Sequence, residues 1–266
     1  MSTPQPTIHL LGDAILDNFF WLSNKELDLT KEVELLGYKV YNHAIDTATV
    51  KDIITGIVPD TTFTKSRSYP YPIDNNGKIV PLKALGQVQS FSNIYSGIQS
   101  FNTNSSANKM VVISLGGNDV KRHICNIILG ADYFINSVIT PDFIKDYQTI
   151  IKSVISSCEK VILCTIYLPY LGSGSSYGNY SLLAKPVMVK WNTFIFEFGK
   201  KHNIPVLDLS RTFNAYDRSH YGTIDYYPSN VSSHCMSHCI SHIYKHYDGH
   251  HIYYATNCDY SHIFTE

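Results

Sequence analysis

The sequence predicts an α/β domain in which a parallel sheet is covered by helices on both faces. Short, β-rich apolar segments alternate along the chain with segments of helical periodicity. Most of the apolar segments are almost continuously hydrophobic, as expected of strands that are buried on both faces. The chain has 266 residues, of which 44% are hydrophobic, enough to bury one sizeable core. We therefore expect residues 1–266 to form a single domain.

Five segments are predicted as the strands of one doubly wound sheet: Thr7–Leu11, Lys39–Asn42, Met110–Leu115, Lys160–Ile166 and Pro205–Leu209. The clearest helix is Asp142–Cys158, where apolar residues recur at helical spacing behind Pro141. A second helix is predicted from about Leu182 to His202. Residues Pro59–Lys109 contain PYP, DNNG and NTNSSAN and have weak periodicity, so they are expected to form a long loop excursion rather than a second domain.

Charge and hydropathy exclude several classes of function. Lys and Arg number 21 against 22 Asp and Glu, so the chain offers no electrostatic basis for binding nucleic acid. The longest apolar run, Val161–Leu171, is shorter than the roughly 17 residues that span a bilayer, and a proline interrupts it. The first residues have no signal-peptide pattern, which predicts a cytoplasmic protein or one exported without a signal peptide. The six cysteines have no CxxC spacing and are expected to be mostly reduced.

Polar residues follow the first and third predicted strands, where an open parallel sheet binds its ligands. Gly12-Asp13-Ala14 comes after the first strand and Gly116-Gly117-Asn118-Asp119 after the third. In these two blocks the chain resembles the SGNH, or GDSL, hydrolase family. The order of the further blocks agrees: Val40–Thr47 is similar to the family's second block, and Trp191-Asn192 with Ile204–Leu209 to its fourth helix and fifth strand.

The resemblance implies a three-layer α/β/α sandwich with a flavodoxin-like sheet of five parallel strands. It also implies hydrolysis of an ester, or transfer of its acyl group, by a Ser-His-Asp mechanism that needs no metal and no organic cofactor. Position 14 would carry the nucleophile. The oxyanion would be held by the Ala14 N–H, the Thr47 N–H and the Asn118 side chain, with Gly12, Asp13, Gly117 and Asp119 in support. Thr47 stands where the family usually has Gly.

The main departure from the family is Ala14, because a methyl group cannot attack a carbonyl. Either the natural protein has lost its serine, or the chain is an engineered serine-to-alanine variant. We favour the engineered variant, because the remaining machinery looks retained. The alternative is a naturally inactive binding module that recognises an ester, a sugar or a partner without turning it over.

The general base and its orienting carboxylate are expected in a DxxH segment after the fifth strand. Three segments have this spacing: Asp217–His220, Asp248–His251 and Asp259–His262. We assign Asp217 and His220, because only they lie in the loop before the last helix, and keep His234 as the next candidate for the base. Tyr227-Pro228-Ser229 resembles the family's H-P-x-x-x-G stretch with Tyr227 in place of His.

The segment Ser229–Tyr247 is predicted to be a terminal amphipathic helix rich in His and Cys. Histidines four residues apart can bind zinc together, which leaves a zinc-binding domain as a third hypothesis. We favour an ordinary helix with its cysteines in the core, because no carboxylate or cysteine completes the histidine stripe. The expected substrate is a small-molecule, lipid or sugar ester, and the sequence does not choose among them.

Overall fold

A computed structural model of the protein describes residues 5–24, 27–44, 48–55, 108–121, 139–175, 180–223 and 226–266. The strands are β1 (Thr7–Gly12), β2 (Lys39–Asn42), β3 (Lys109–Ser114), β4 (Lys160–Cys164), β5 (Val206–Leu207), β6 (Ile252–Tyr254) and β7 (Phe264–Thr265). The α-helices are α1 (Leu29–Leu35), α2 (Val50–Thr55), α3 (Pro141–Ser157), α4 (Tyr180–His202), α5 (Leu209–Thr212) and α6 (Asn230–Lys245). Single 3₁₀ turns lie at Phe19–Trp21, Arg218–His220 and Thr256–Cys258.

Within the described residues the strands form one sheet in the order β2-β1-β3-β4-β5-β6-β7. Every neighbouring pair is parallel except β6 and β7, which are antiparallel. The carboxyl ends of β1, β3, β4 and β5 therefore lie at one edge of the sheet. β2 pairs with one side of β1 and β3 with the other, so the chain crosses over β1 between these two strands.

The α/β class, the parallel arrangement and all five predicted strands are confirmed, but the strand count of five was wrong. The sheet continues through β6 and β7 at the end of the chain. β6 has three residues and β7 two, and β7 is exposed, so neither has the apolar run that marks a buried strand. The predicted helices agree with α3 and α4 to within two residues at each end.

Helices cover both faces of the sheet and enclose two apolar clusters. One face carries α1 and α6, whose Leu29, Val33, Cys239 and Ile243 pack against the sheet. The other face carries α2, α3 and α4, with fully buried Tyr147 and Trp191 in edge-to-face contact at 4.9 Å. This is the three-layer sandwich that the family resemblance implied.

Two further observations concern the described helices and cysteines. None of these helices is both long enough and apolar enough to cross a bilayer. The five described cysteines, Cys158, Cys164, Cys235, Cys239 and Cys258, are buried free thiols. Because Cys235 and Cys239 lie in the core face of α6, that face of the helix is structural.

Candidate active site

A glycine and an aspartate fix the turn that follows β1. Gly12 has a φ of +150° and lies so close to β3 that a Cβ there would clash with the Ser114 carbonyl. The Asp13 N–H donates to that same carbonyl at 3.1 Å, and the Asp13 carboxylate accepts from the Ile15 N–H at 3.1 Å. These contacts hold the backbone on both sides of Ala14 and use no atom of its side chain.

The turn that follows β3 lies against the first turn. Gly116 has a φ of +105°, and a Cβ on it would come within 2.6 Å of the Trp191 indole. A Cβ on Gly117 would lie 3.2 Å from an oxygen of the Asp13 carboxylate and 3.4 Å from the Tyr226 hydroxyl. The predicted supporting residues Asp13 and Gly117 are therefore neighbours at the carboxyl edge of the sheet.

Asn118 and Asp119 connect this turn to the segment before α2. The Asn118 side-chain amide donates to the Ala48 carbonyl at 3.1 Å, and the Asp119 carboxylate accepts from the Val50 N–H at 3.1 Å, where α2 begins. An amide group has two N–H donors, so Asn118 retains a second one for a ligand. Thr47, the third predicted oxyanion residue, lies outside the described residues, so the predicted role of its N–H stays a prediction.

Aromatic side chains cover position 14. Ala14 is only 3% exposed and shares a small apolar cluster with Tyr226, Tyr227 and the partly buried Trp21. The Trp21 and Tyr227 rings stack at 4.2 Å with an interplanar angle of 4°. The Lys121 ammonium lies 4.8 Å from the Tyr226 ring centre and 5.3 Å from that of Tyr227, within cation–π range.

Hydrogen bonds anchor this aromatic cluster to the turns beneath it. The Tyr226 hydroxyl donates to the Gly117 carbonyl at 3.1 Å, and the Tyr167 hydroxyl donates to the Tyr226 carbonyl at 3.0 Å. Burial, followed by the surrounding tyrosines, raises the pKa of Tyr167 well above its usual value, so this hydroxyl stays protonated and acts as a donor. Sequence reasoning missed Trp21, Lys121 and Tyr226, whereas Tyr227 stood out in the sequence at the position of the family's histidine.

The predicted pair Asp217 and His220 is brought together by the 3₁₀ turn at Arg218–His220. His220 Nε2 lies 3.6 Å from an oxygen of the Asp217 carboxylate, and the His220 side chain is almost completely buried. Burial lowers the pKa of His220, but the hydrogen bond to Cys258 and the charge of Asp217 outweigh it and place the pKa above the usual value. The structure therefore places the two side chains next to each other, at a separation slightly beyond hydrogen-bond length.

The other ring nitrogen of His220 is already in use. Nδ1 accepts a hydrogen bond from the Asn214 N–H at 2.9 Å, which assigns the ring proton of the neutral form to Nε2. A general base needs a free acceptor nitrogen aimed at the hydroxyl that it deprotonates. In this arrangement His220 offers none, and its ring would have to release Asn214 before it could serve residue 14.

The alternative histidines lie elsewhere. His251 directly precedes β6 and so lies at the amino edge of the sheet, opposite Ala14, while His262 is 75% exposed near the chain end. His234 projects from α6 toward α1, where its Nδ1 lies 2.7 Å from the Glu32 carboxylate. In the described part of the chain, no three or more His, Cys, Asp or Glu side chains form a group that could hold a metal ion, so the zinc hypothesis has no site there.

Comparison with known families adds to this geometry. The profile of the GDSL-like lipase/acylhydrolase family matches residues 8–253, nearly the whole chain, including both turns around Ala14. The chain belongs to the GDSL-like lipase/acylhydrolase family. A comparison with curated protein sequences gives no match.

Solved structures of GDSL-type proteins share the fold. A G-D-S-L family protein from Desulfitobacterium hafniense is 14% identical with a TM-score of 0.54, and the match covers 90% of this chain and 99% of that one. The native aryl esterase of M. smegmatis is 12% identical with a TM-score of 0.51, covering 91% and 99%. A catalytic mutant of an acetylxylan esterase from Geobacillus stearothermophilus is 15% identical with a TM-score of 0.52, covering 90% and 92%.

At such identities the likeness concerns the fold. The chemistry available at the carboxyl edge of the sheet therefore has to be argued from the side chains and backbone groups of this chain. The turn after β1 and the Asn118 amide can present N–H donors to a developing oxyanion, whereas the residue at the nucleophile position presents only a methyl group.

Proposed function

We propose that this chain is a GDSL-type esterase scaffold that binds an ester at the carboxyl edge of its sheet and, with Ala14 in place, does not cleave it. The observation that supports the proposal is the turn of residues 12–15, which is held entirely by backbone and Asp13 contacts around an alanine. A serine at position 14 would stand at the tip of this turn and supply the missing nucleophile.

In the serine-containing form, we assign ester hydrolysis or acyl transfer to the same edge. The serine would attack the ester carbonyl, His220 would take its proton, and Asp217 would orient the imidazole. The oxyanion would be held by three donors: the backbone N–H of residue 14, the Thr47 N–H and the second side-chain N–H of Asn118. The 3.6 Å separation of His220 Nε2 and the Asp217 carboxylate supports the orienting role. The base role requires the His220 ring to give up the Asn214 N–H.

The second candidate is a natural binding module that never carried the full triad. Tyr227, at the position where the family resemblance places a histidine, packs in one cluster with Ala14. Both this tyrosine and the engaged Nδ1 of His220 favour a site without a working base. Under this proposal, Ala14 is the residue of the natural gene, and sequencing codon 14 in the source organism distinguishes the two candidates.

Three proteins test the chemistry: the chain as given, Ala14→Ser, and Ala14→Ser combined with Tyr227→His. Each is treated with a serine-directed phosphonate and assayed on p-nitrophenyl esters from acetyl to palmitoyl. The chain as given should show neither labelling nor turnover. Labelling and turnover by Ala14→Ser, lost again on His220→Gln, would support the hydrolase with His220 as its base.

The other outcomes separate the remaining explanations. If Ala14→Ser is folded but inert and only the double variant reacts, the base belongs at position 227 and His220 has no catalytic part. If both variants are folded and inert across the ester series, the hydrolase proposal is wrong and the binding module replaces it. Lipid esters, short-chain esters and acetylated sugars remain the substrate classes to screen.

A further inference from the structure

A cavity lies beside the aromatic residues that cover position 14, on the side away from Ala14. Its volume is about 320 Å³, and it is formed between α4 and the segment that follows β5. Lys185, Val189 and Asn192 face it from one side of α4, at helical spacings of four and three. Small-molecule sites range from about 300 to 1,000 Å³, so this volume suits a small ligand.

The floor and mouth of the cavity are apolar. Phe213 and Met188 are buried in its wall, while Val189 is 58% exposed and Tyr216 73% exposed at its rim. Tyr216 is the most exposed of the large hydrophobic side chains among the described residues. An apolar floor with an exposed apolar rim favours a ligand that carries hydrocarbon.

The polar side chains of the lining have hydrogen-bond partners within the protein. The Asn192 amide both donates to and accepts from the backbone of Ile166, at 2.9 and 3.0 Å. The Ser210 hydroxyl donates to the Asp208 carboxylate at 2.6 Å, and the Asn214 side chain bonds Tyr216 N–H and Asn257. Each of these side chains already has a partner within the protein, so the lining offers a polyhydroxylated ligand such as a sugar little more than the second N–H of Asn192 and of Asn214.

Lys185 is the single charged residue of the lining. It is exposed at the mouth, and in the described part of the chain no carboxylate forms an ion pair with it. An ammonium group with no partner beside an apolar cavity is complementary to a ligand with one anionic group and one apolar chain.

We propose that this cavity binds an aliphatic monocarboxylate of short to medium chain length, with its chain on Met188 and Phe213 and its carboxylate at Lys185. The site is separate from position 14: Phe213 contacts Tyr167 at 4.5 Å, and Tyr167 in turn contacts Tyr226, which packs with Ala14. Three rings thus stand between the cavity and Ala14. The proposal does not depend on the esterase function and survives if that function is wrong.

Isothermal titration of the chain as given with octanoate, octanol and octylammonium tests the proposal. Octanoate should bind saturably with a Kd on the order of 1 mM or tighter, octanol more weakly, and octylammonium weakest. Lys185→Ala should weaken octanoate by roughly 3- to 10-fold and leave octanol unchanged. The matched control is Lys190→Ala, on the same helix but outside the lining, which should change neither.

A second variant tests the position of the bound carboxylate without changing Lys185. Val189→Asp places a negative charge at an exposed position of the mouth, where the fold tolerates it, and should weaken octanoate more than octanol. Absence of saturable octanoate binding would overturn the proposal. Equal losses for Lys185→Ala and Lys190→Ala would overturn it too, because the attraction would then come from the general charge of α4.

Discussion

At the scale of single residues, the proposed function gives Asn118 two tasks. One amide hydrogen ties the turn after β3 to the Ala48 carbonyl, and the other is available to an oxyanion. In the Ala14→Ser protein, Asn118→Ala should therefore lower kcat by roughly 10²-fold or more, the effect of losing one oxyanion donor. Ester hydrolysis under substrate saturation measures it.

The control for this prediction is Asp119→Ala in the same background. It removes the neighbouring tether to Val50 N–H but takes no N–H donor from the cleft. Its kcat should fall far less than that of Asn118→Ala, and thermal unfolding of both variants separates loss of stability from loss of chemistry. Equal kcat values for the two variants would remove Asn118 from the mechanism.

Residues within one short motif could be predicted from sequence, whereas residues gathered from distant segments could not. Gly12, Asp13 and Gly117 stand in blocks whose spacing is visible in the chain. The cover over Ala14 combines Trp21, Lys121 and Tyr226, whose proximity depends on three segments that are distant in the sequence. The contact of His220 with the Asn214 N–H is likewise a tertiary feature with no local signature.

At the scale of elements, α3 shows how side chains set a helix boundary. Thr140 precedes the helix, its hydroxyl accepts from the Phe143 N–H at 3.1 Å, and Pro141 occupies the first turn. Thr140→Ala should lower the free energy of unfolding by about 1 kcal/mol, because one N–H at the helix start loses its acceptor. Urea denaturation followed by circular dichroism measures the change.

Thr149→Ala, an exposed threonine inside the same helix, is the matched comparison. Its hydroxyl donates to the Lys145 carbonyl, which already has the helix for a partner, and alanine has the higher helix propensity. We expect a change within about 0.5 kcal/mol, or a gain. A loss as large as that of Thr140→Ala would show that the effect at Thr140 is not capping.

The elements that sequence periodicity predicted are the long or buried ones. α3 has 17 residues with a continuous apolar face, and β1, β3 and β4 are enclosed by helices on both sides. β6 and β7 form because β5 leaves an open sheet edge for them to pair with, which is a property of the assembled sheet. Their own residues carry too little pattern to indicate a strand.

At the scale of the whole molecule, a buried histidine makes stability depend on pH. His9 on β1 is buried beside His43, with 3.2 Å between His9 Nδ1 and His43 Nε2. Burial, then the charges of His43 and Lys109, lower the pKa of His9 to about 3. The folded protein keeps His9 neutral while the unfolded chain takes up a proton below about pH 6.5, so stability falls as the pH drops from 6.5 toward 3.

Between pH 7 and pH 5, His9 should account for a loss of about 2 kcal/mol in the free energy of unfolding. His220 acts in the opposite direction, because its raised pKa adds stability that is present below about pH 6.5 and is lost as the pH rises through the folded pKa. The comparison is therefore between a variant and the parent protein. His9→Phe should flatten the dependence of stability on pH between pH 7 and pH 5 relative to the parent protein, and an unchanged slope would contradict the assignment.

The turn of residues 12–15 has a consequence for the history of such proteins. Its shape depends on Gly12, whose missing Cβ admits the Ser114 carbonyl, and on Asp13, which caps the backbone behind it. Ala14→Ser should accordingly fold without strain and keep the parent melting temperature within a few degrees. The GCN codons of alanine and the UCN codons of serine differ by a single nucleotide, so a lineage that uses them can gain or lose the nucleophile in one step without crossing an unstable intermediate.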